Sequence, residues 1–193
     1  MKMSRDQLLE AVRSQMPVKR WNHTAGVMQS AVELALQYGV DPVKADLAAL
    51  LHDVVKYWPT DKMERIIRDQ GLPSLLLQHD KALWHAPVGA YVAEHEYGVS
   101  DEEVLDAIRY HTSGRERMTK LDKVVCLADY IEPGRDFPGV DRIRELAKRS
   151  LEEALIAGFD STISFLLSKR ARIFPTTLQA RNSLIEELDN RQQ

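Results

Sequence analysis

Ala48-Ala49-Leu50-Leu51-His52-Asp53-Val54-Val55 sets a histidine and an aspartate inside an otherwise apolar run. Asp41-Pro42 precedes it, an aspartate and a proline suited to the first turn of a helix. The run predicts one buried helix passing through the pair towards Pro59. A histidine and a carboxylate buried together need partners, and a metal ion satisfies both. The dipeptide alone has little weight. With 6 His and 15 Asp, chance supplies roughly 0.5 such pairs in a chain of this length. A second pair, His79-Asp80, indeed stands between Gln78 and Lys81. The apolar setting, and what surrounds the first pair in the rest of the chain, separate the two.

Working outward, almost every segment carries helical period and none sustains alternation, so the chain reads as all-α. Ser4 caps a first short helix. A longer one carries Trp21, Val27, Ala31, Leu34 and Tyr38 and stops at Gly39. Beyond the His52-Asp53 helix, one starts at Thr60 or Asp61 and ends near Gly71. Pro73 opens an apolar segment to about Trp84, and a helix from Pro87 to Tyr97 closes at Gly98. Ser100 is the expected cap of a helix reaching His111 and ending at Gly114. Thr119 to Glu132 is helical and halted by Pro133-Gly134. A charged helix is expected over about 141–157, another over 159–173, and a last one from Thr176 to about Leu188. Nothing in composition marks a boundary, so residues 1–193 read as one compact helical bundle.

The whole-chain properties exclude several classes. At 193 residues, 44% hydrophobic and 28% charged, the chain has the make-up of a soluble globular protein. A net charge of −3 does not suit a nucleic-acid binder. The one cysteine, Cys126, sits in the apolar Val124-Val125-Cys126-Leu127-Ala128. It cannot form an internal disulfide and fits a reducing cytoplasm. Met1-Lys2-Met3-Ser4-Arg5 has no signal-peptide core, and no apolar run reaches membrane length.

Helical spacing gathers the remaining chemistry. His23 shares a face with Val27, Ala31 and Leu34; His111 with Val104 and Ile108; Asp129 with Leu121 and Val125. His85 lies at a helix entrance in Leu83-Trp84-His85-Ala86-Pro87. Singly, each of these has an ordinary explanation as a boundary residue bonded to backbone or to a basic partner. Together, five or six buried ionisable groups would each need a private partner, whereas one shared cation serves them all. Imidazole and carboxylate ligands suit iron, manganese or nickel, and the lack of thiolates argues against a structural zinc. Lys56, at i+4 from His52 and i+3 from Asp53, fits an anionic ligand such as phosphate, and equally a solvated lysine near a helix end. His79 and His95 have polar neighbours and are expected on the surface.

The order His23, His52-Asp53, Asp129 resembles the HD-domain metal phosphohydrolases, whose signature is H…HD…D. More closely, the chain resembles the YqeK family of bacterial symmetrical bis(5′-nucleosyl)-tetraphosphatases. The residues carrying this are Arg20 through His23, Leu50 through Lys56, Trp84-His85-Ala86-Pro87 and Ala107 through Gly114, then Leu127 through Arg135 and Ile173 through Asn182. Many relatives are expected to carry Leu and Gly in place of Trp84 and Ala86. The resemblance implies an all-α HD-domain bundle with an iron site made by His23, His52, Asp53 and Asp129, holding one or two ions. It implies that His85 and His111 hold a second metal or meet the substrate phosphates, as His23 also does, and that Lys56, Thr112 and Arg135 bind phosphate oxygens. Asp53, Lys56, His85 and His111 are then the catalytic candidates. The segment Arg172-Ile173-Phe174-Pro175-Thr176-Thr177 would line the nucleoside end, with helix N–H groups facing an anion and Phe174 stacking on a base; spacing alone reads instead as a capped helix start with a core phenylalanine. The C-terminal helices, about 159–190, would cover that end.

The implied reaction is hydrolysis of diadenosine tetraphosphate into two ADP, with a divalent metal acidifying water and Asp53 orienting it. Two other readings remain open: an HD phosphohydrolase acting on a nucleotide monophosphate, a cyclic nucleotide or guanosine tetraphosphate, and a metal-dependent nucleotide sensor that does not cleave. The expected partner is a small nucleotide, with neither membrane nor nucleic acid; monomer and homodimer are both open.

Overall fold

Local sequence signals set most of the helix ends. In the computed structural model, which describes residues 3–191, Ser4 and Gln7 form a reciprocal cap that opens α1 (Arg5–Ser14). Residues 1, 2, 192 and 193, the outermost ends of the expected single unit, lie outside the described residues. α2 (Val18–Tyr38) ends where Gly39 turns left-handed at φ 66°, a conformation that suits glycine. Asp41 accepts from the Val43 and Lys44 amides to start α3 (Pro42–Leu51). Then come α4 (Thr60–Asp69), two 3₁₀ turns (Ser74–Gln78 and Lys81–Leu83), α5 (His85–His95) and α6 (Glu102–Tyr110). Thr119 and Asp122 form a second reciprocal cap at the start of α7 (Lys120–Ile131). α8 (Val140–Ala147), α9 (Leu151–Ser168) and α10 (Pro175–Arg191) complete the chain. Among the described residues there is no strand, as the all-α reading requires, and no helix is long and apolar enough to cross a membrane.

α7 runs through the middle, touching α2, α3, α6, α8 and α9. Its residues Val124 to Ala128, Cys126 included, are wholly buried. Fully buried alanines at 31, 35, 45, 48 and 49 keep the contact surfaces of α2 and α3 short, so the two helices approach closely. Lys123 is buried on α7 and reaches Glu152 of α9 at 2.8 Å and Glu187 of α10 at 2.5 Å. The C-terminal pair is thereby tied to the core by charge as well as by Leu155, Phe159 and Leu184.

Five expectations need correction. The helix through His52-Asp53 stops at Leu51. The next six residues wind more tightly, with i→i+3 bonds from Val54 to Leu51, Lys56 to Asp53 and Trp58 to Val55. The cause is His52 itself: its Nδ1–H donates to the Ala49 carbonyl at 2.6 Å, the acceptor that residue 53 would use in a continuing helix. The apolar segment after Pro73 forms two separate 3₁₀ turns, the second capped by Asp80. α5 starts at His85, two residues before the expected Pro87, and ends at His95. Asp101, not Ser100, caps α6, which stops at Tyr110. The stretch 141–173, expected as helices over 141–157 and 159–173, breaks instead at 148–150, where Ser150 caps α9 by accepting from Glu153.

Candidate metal centre and active site

Four histidines reach one spot, and backbone or carboxylate acceptors fix the orientation of each ring. His52, His85 and His111 stand at the ends or starts of α3, α5 and α6. Each donates Nδ1–H to the carbonyl three residues earlier: Ala49 at 2.6 Å, Ala82 at 2.7 Å and Ile108 at 2.8 Å. His23, on α2, instead donates Nδ1–H to Glu132 Oε1 at 3.1 Å. In all four the Nδ1 proton is engaged outside the cluster and the Nε2 lone pair faces into it.

The carboxylates complete the arrangement. His23 Nε2 lies 3.1 Å from Asp129 Oδ1 and 3.7 Å from Asp53 Oδ2. His52 Nε2 lies 3.2 Å from Asp53 Oδ2, and His85 Nε2 lies 3.1 Å from Asp53 Oδ1. His85 and His111 bring their Nε2 atoms within 3.0 Å of each other. The Nε2 atoms of His23 and His52 are buried and have no hydrogen-bond partner. Lone pairs held against carboxylates in this way are unfavourable unless a cation sits between them. Two ligand sets meet the spacing for an ion: His23, His52 and Asp129, and His52, Asp53 and His111. The donors are nitrogen and oxygen, with no thiolate, which suits a divalent transition metal.

The electrostatics agree. Burial pushes the Asp53 carboxyl up, but His52 and His85 hold it well below the usual range. Burial likewise acts against Asp129, and the adjacent His23 ring and Arg135 more than offset it, holding it well below that range. Burial lowers His52, yet the charges of Asp53 and Asp129 leave it raised overall, so the space between them favours positive charge. Burial, with His85 and His52 alongside, pushes His111 down to about 3, so its imidazole is neutral and able to act as a ligand.

Cations ring the cluster. Arg20 Nη1 donates to Asp53 Oδ2 at 2.8 Å. Arg135 grips Asp129 twice, through the carboxylate and through the backbone carbonyl at 2.7 Å. Lys56 Nζ lies 3.9 Å from Asp53 Oδ1 and 3.1 Å from His85 Nδ1; burial lowers its pKa. Thr112 Oγ1 stands 3.0 Å from His111 Nε2. Thus His23, His52, Asp53, Lys56, His85, His111, Thr112, Asp129 and Arg135 all converge.

The segment Arg172 to Thr177 converges less closely. Phe174 and Thr176 line a cavity of about 460 Å³ that reaches the cluster through Thr112 and is walled also by Tyr110 and Arg115. Arg172 is exposed and donates to the Gln78 carbonyl at 2.9 Å. Thr177 is buried at the first turn of α10. His95 is exposed as expected, but His79 is half-buried, its ring 5.1 Å from that of Phe174.

Two residues inside the strings that carry the resemblance, Glu132 and Arg20, have roles that the sequence alone did not assign. Glu132 aims His23, accepts from the Gly134 amide at 2.6 Å and is buried. A Cβ on Gly26 would come within 2.5 Å of Glu132 Oε2, so a glycine one turn after His23 was the available signal. Arg20, one turn before His23, was another. A second cavity, of about 590 Å³, has His111, Thr112, Asp129 and Arg135 at one end, and Tyr130, Phe137 and Phe165 in its walls.

Comparison with known proteins adds the following. The HD domain family model matches residues 20–134. The symmetrical bis(5′-nucleosyl)-tetraphosphatase of Bacillus subtilis is 49% identical over 183 residues, covering 95% of this chain and 98% of that protein. The protein of the same name from Staphylococcus aureus is 43% identical over 88% of this chain and 89% of its own length. A crystal structure from Clostridium acetobutylicum, described as a predicted HD superfamily hydrolase involved in NAD metabolism, superposes with a TM-score of 0.92. It is 39% identical, over 96% of this chain and 98% of that one.

Proposed function

The chain belongs to the HD domain family, and from that premise we propose that it is a divalent-metal hydrolase cutting diadenosine tetraphosphate symmetrically into two ADP. The observation that carries this is the pair of buried, unpartnered Nε2 atoms of His23 and His52 facing Asp53 and Asp129. His23, His52, Asp53 and Asp129 are the ligands. Iron is the metal, with manganese or nickel as substitutes for the same donor set. Bound there, a divalent cation supplies Lewis acidity to a phosphate oxygen and lowers the pKa of water towards neutrality.

The chain's own residues do the rest. Asp53 presents Oδ2 towards His23, His52 and Arg20, and Oδ1 towards His85 and Lys56. It can thus hold the ion with one oxygen and orient water with the other. Lys56, Thr112, Arg135 and Arg20 bind non-bridging phosphate oxygens and offset the charge that builds up as the central phosphoanhydride breaks. One ADP carries away the bridging oxygen; the other gains its oxygen from water. His85 and His111, with facing Nε2 atoms, take a second ion or meet the phosphates, and the metal-to-protein ratio separates these. Phe174 and Thr176 line the nucleoside end, with Ile173, Pro175 and Thr177 flanking them in the chain, while Arg172 is turned outward to the Gln78 carbonyl. The described residues, 3–191, form one HD unit whose C-terminal helices cover this end. The buried Cys126 and the nucleotide substrate fit action in the cytoplasm.

Protein purified without oxygen and assayed with ferrous or manganese ion is expected to yield ADP as the sole nucleotide product. Formation of AMP with ATP, or tight binding without turnover, would refute the proposal.

A further inference from the structure

We propose that the cavity of about 590 Å³ between α7 and α9 is the second nucleoside site, so that the two halves of one substrate molecule lie in two separate pockets on either side of the cluster. This rests on the tetraphosphatase reading above. A symmetrical cut places the central phosphoanhydride at the metal, with one nucleoside the same number of phosphates away in each direction. One pocket cannot receive both. Two cavities leave the cluster and share Thr112: one ends at Phe174 and Thr176, the other at Phe137, Pro138 and Phe165. Both fall within the size range of small-molecule sites.

The chemistry of the second cavity suits a nucleoside. Asp129 and Arg135, both members of the cluster, are among its lining residues, so a nucleoside here would stay within reach of phosphates held at the cluster. Its walls are apolar and aromatic, and Ser161 and Thr162 add hydroxyls at its α9 side. Thr162 is held by the Tyr130 hydroxyl, the oxygens 2.7 Å apart. Phe165 is 59% exposed on the rim. An aromatic ring left in water beside an apolar cleft has much to gain from stacking on a base. A third hollow, of about 850 Å³ beside His23, has Tyr57 and Phe137 in its lining, but half of its lining residues are charged or amide, among them Lys19, Arg20, Asn22 and Asp136. It suits phosphate and solvent better than a base.

The test uses the metal-loaded enzyme and two variants, Phe165→Ala and Ser161→Trp, the first removing the stacking ring and the second filling the cleft. Phe165 is exposed, so its replacement leaves the core intact, and thermal denaturation verifies folding of both. Wild type is expected to bind two ADP per chain by equilibrium dialysis and each variant one. KM for diadenosine tetraphosphate is expected to rise about tenfold in Phe165→Ala, the size of one base–aromatic stack, with kcat changed far less. One ADP per chain in wild type overturns the proposal, as does a KM within twofold of wild type in both variants. A dimer that becomes monomeric in Phe165→Ala with KM unchanged gives the face to a second copy and also overturns it. Loss of the tetraphosphatase reading itself is seen separately, as wild type that binds ADP but does not cleave the tetraphosphate.

Discussion

His23 is held between two carboxylates, its Nδ1 3.1 Å from Glu132 Oε1 and its Nε2 3.1 Å from Asp129 Oδ1. Only one of these contacts faces the cluster. Glu132 acts on the metal through the ring it aims, so Glu132→Gln is expected to weaken metal affinity about 10- to 100-fold while the fold persists. Chelator competition measures this, and an unchanged affinity would remove Glu132 from that role.

Gly26 makes room for the same carboxylate. In Gly26→Ala the new methyl group would meet Glu132 Oε2 at 2.5 Å and its Cδ at 3.3 Å. A buried carboxylate wedged between α2 and the Gly134 amide has little freedom to retreat. The variant is expected to lose about 1–3 kcal/mol of stability, as overpacked cores do, together with metal affinity. Urea denaturation and metal content are the readouts; a variant like wild type in both means that Glu132 yields freely.

Lys56 touches the carboxylate and the His85 ring but supplies no metal ligand. Lys56→Met is expected to keep the metal and lose about 100-fold in kcat, the usual scale for removing one charge-stabilising donor. Loss of metal from this variant would instead make Lys56 a structural counter-ion.

The pH dependence of stability has a separate source in Glu152. Burial pushes its carboxyl up, but hydrogen bonds from Lys123 and Arg191 bring it down to about 2 from an ordinary value of 4.5. Its folded pKa lies below the unfolded one, so its stabilising contribution is complete above pH 4.5 and fades as pH falls towards 2. Glu152→Gln is expected to be less stable than wild type at neutral pH, with the gap narrowing across that interval. A gap that stays constant from pH 7 to pH 2 would show that the carboxylate charge contributes nothing.

The helices were legible because capping residues, glycines and 3.6-residue periodicity are local. So was the cluster's membership, since buried His and Asp at the ends of apolar stripes have few other destinations. What local pattern could not show was the tight winding after Leu51, which depends on a side chain capturing a backbone carbonyl. The break at 148–150 was hidden by apolar residues that keep phase across it. The aim of His23 depends on Glu132, distant in sequence and visible only through a small residue that makes space for it. Arg172 faces outward because the Gln78 carbonyl is within its reach, a contact no spacing rule contains.

Anomalous diffraction at the iron absorption edge, from crystals of anaerobically purified protein, tests the centre most directly. The expected result is a peak within coordination distance of His23 Nε2, His52 Nε2 and the carboxylates of Asp53 and Asp129. A fully loaded protein whose metal peak lies away from these four side chains would contradict it.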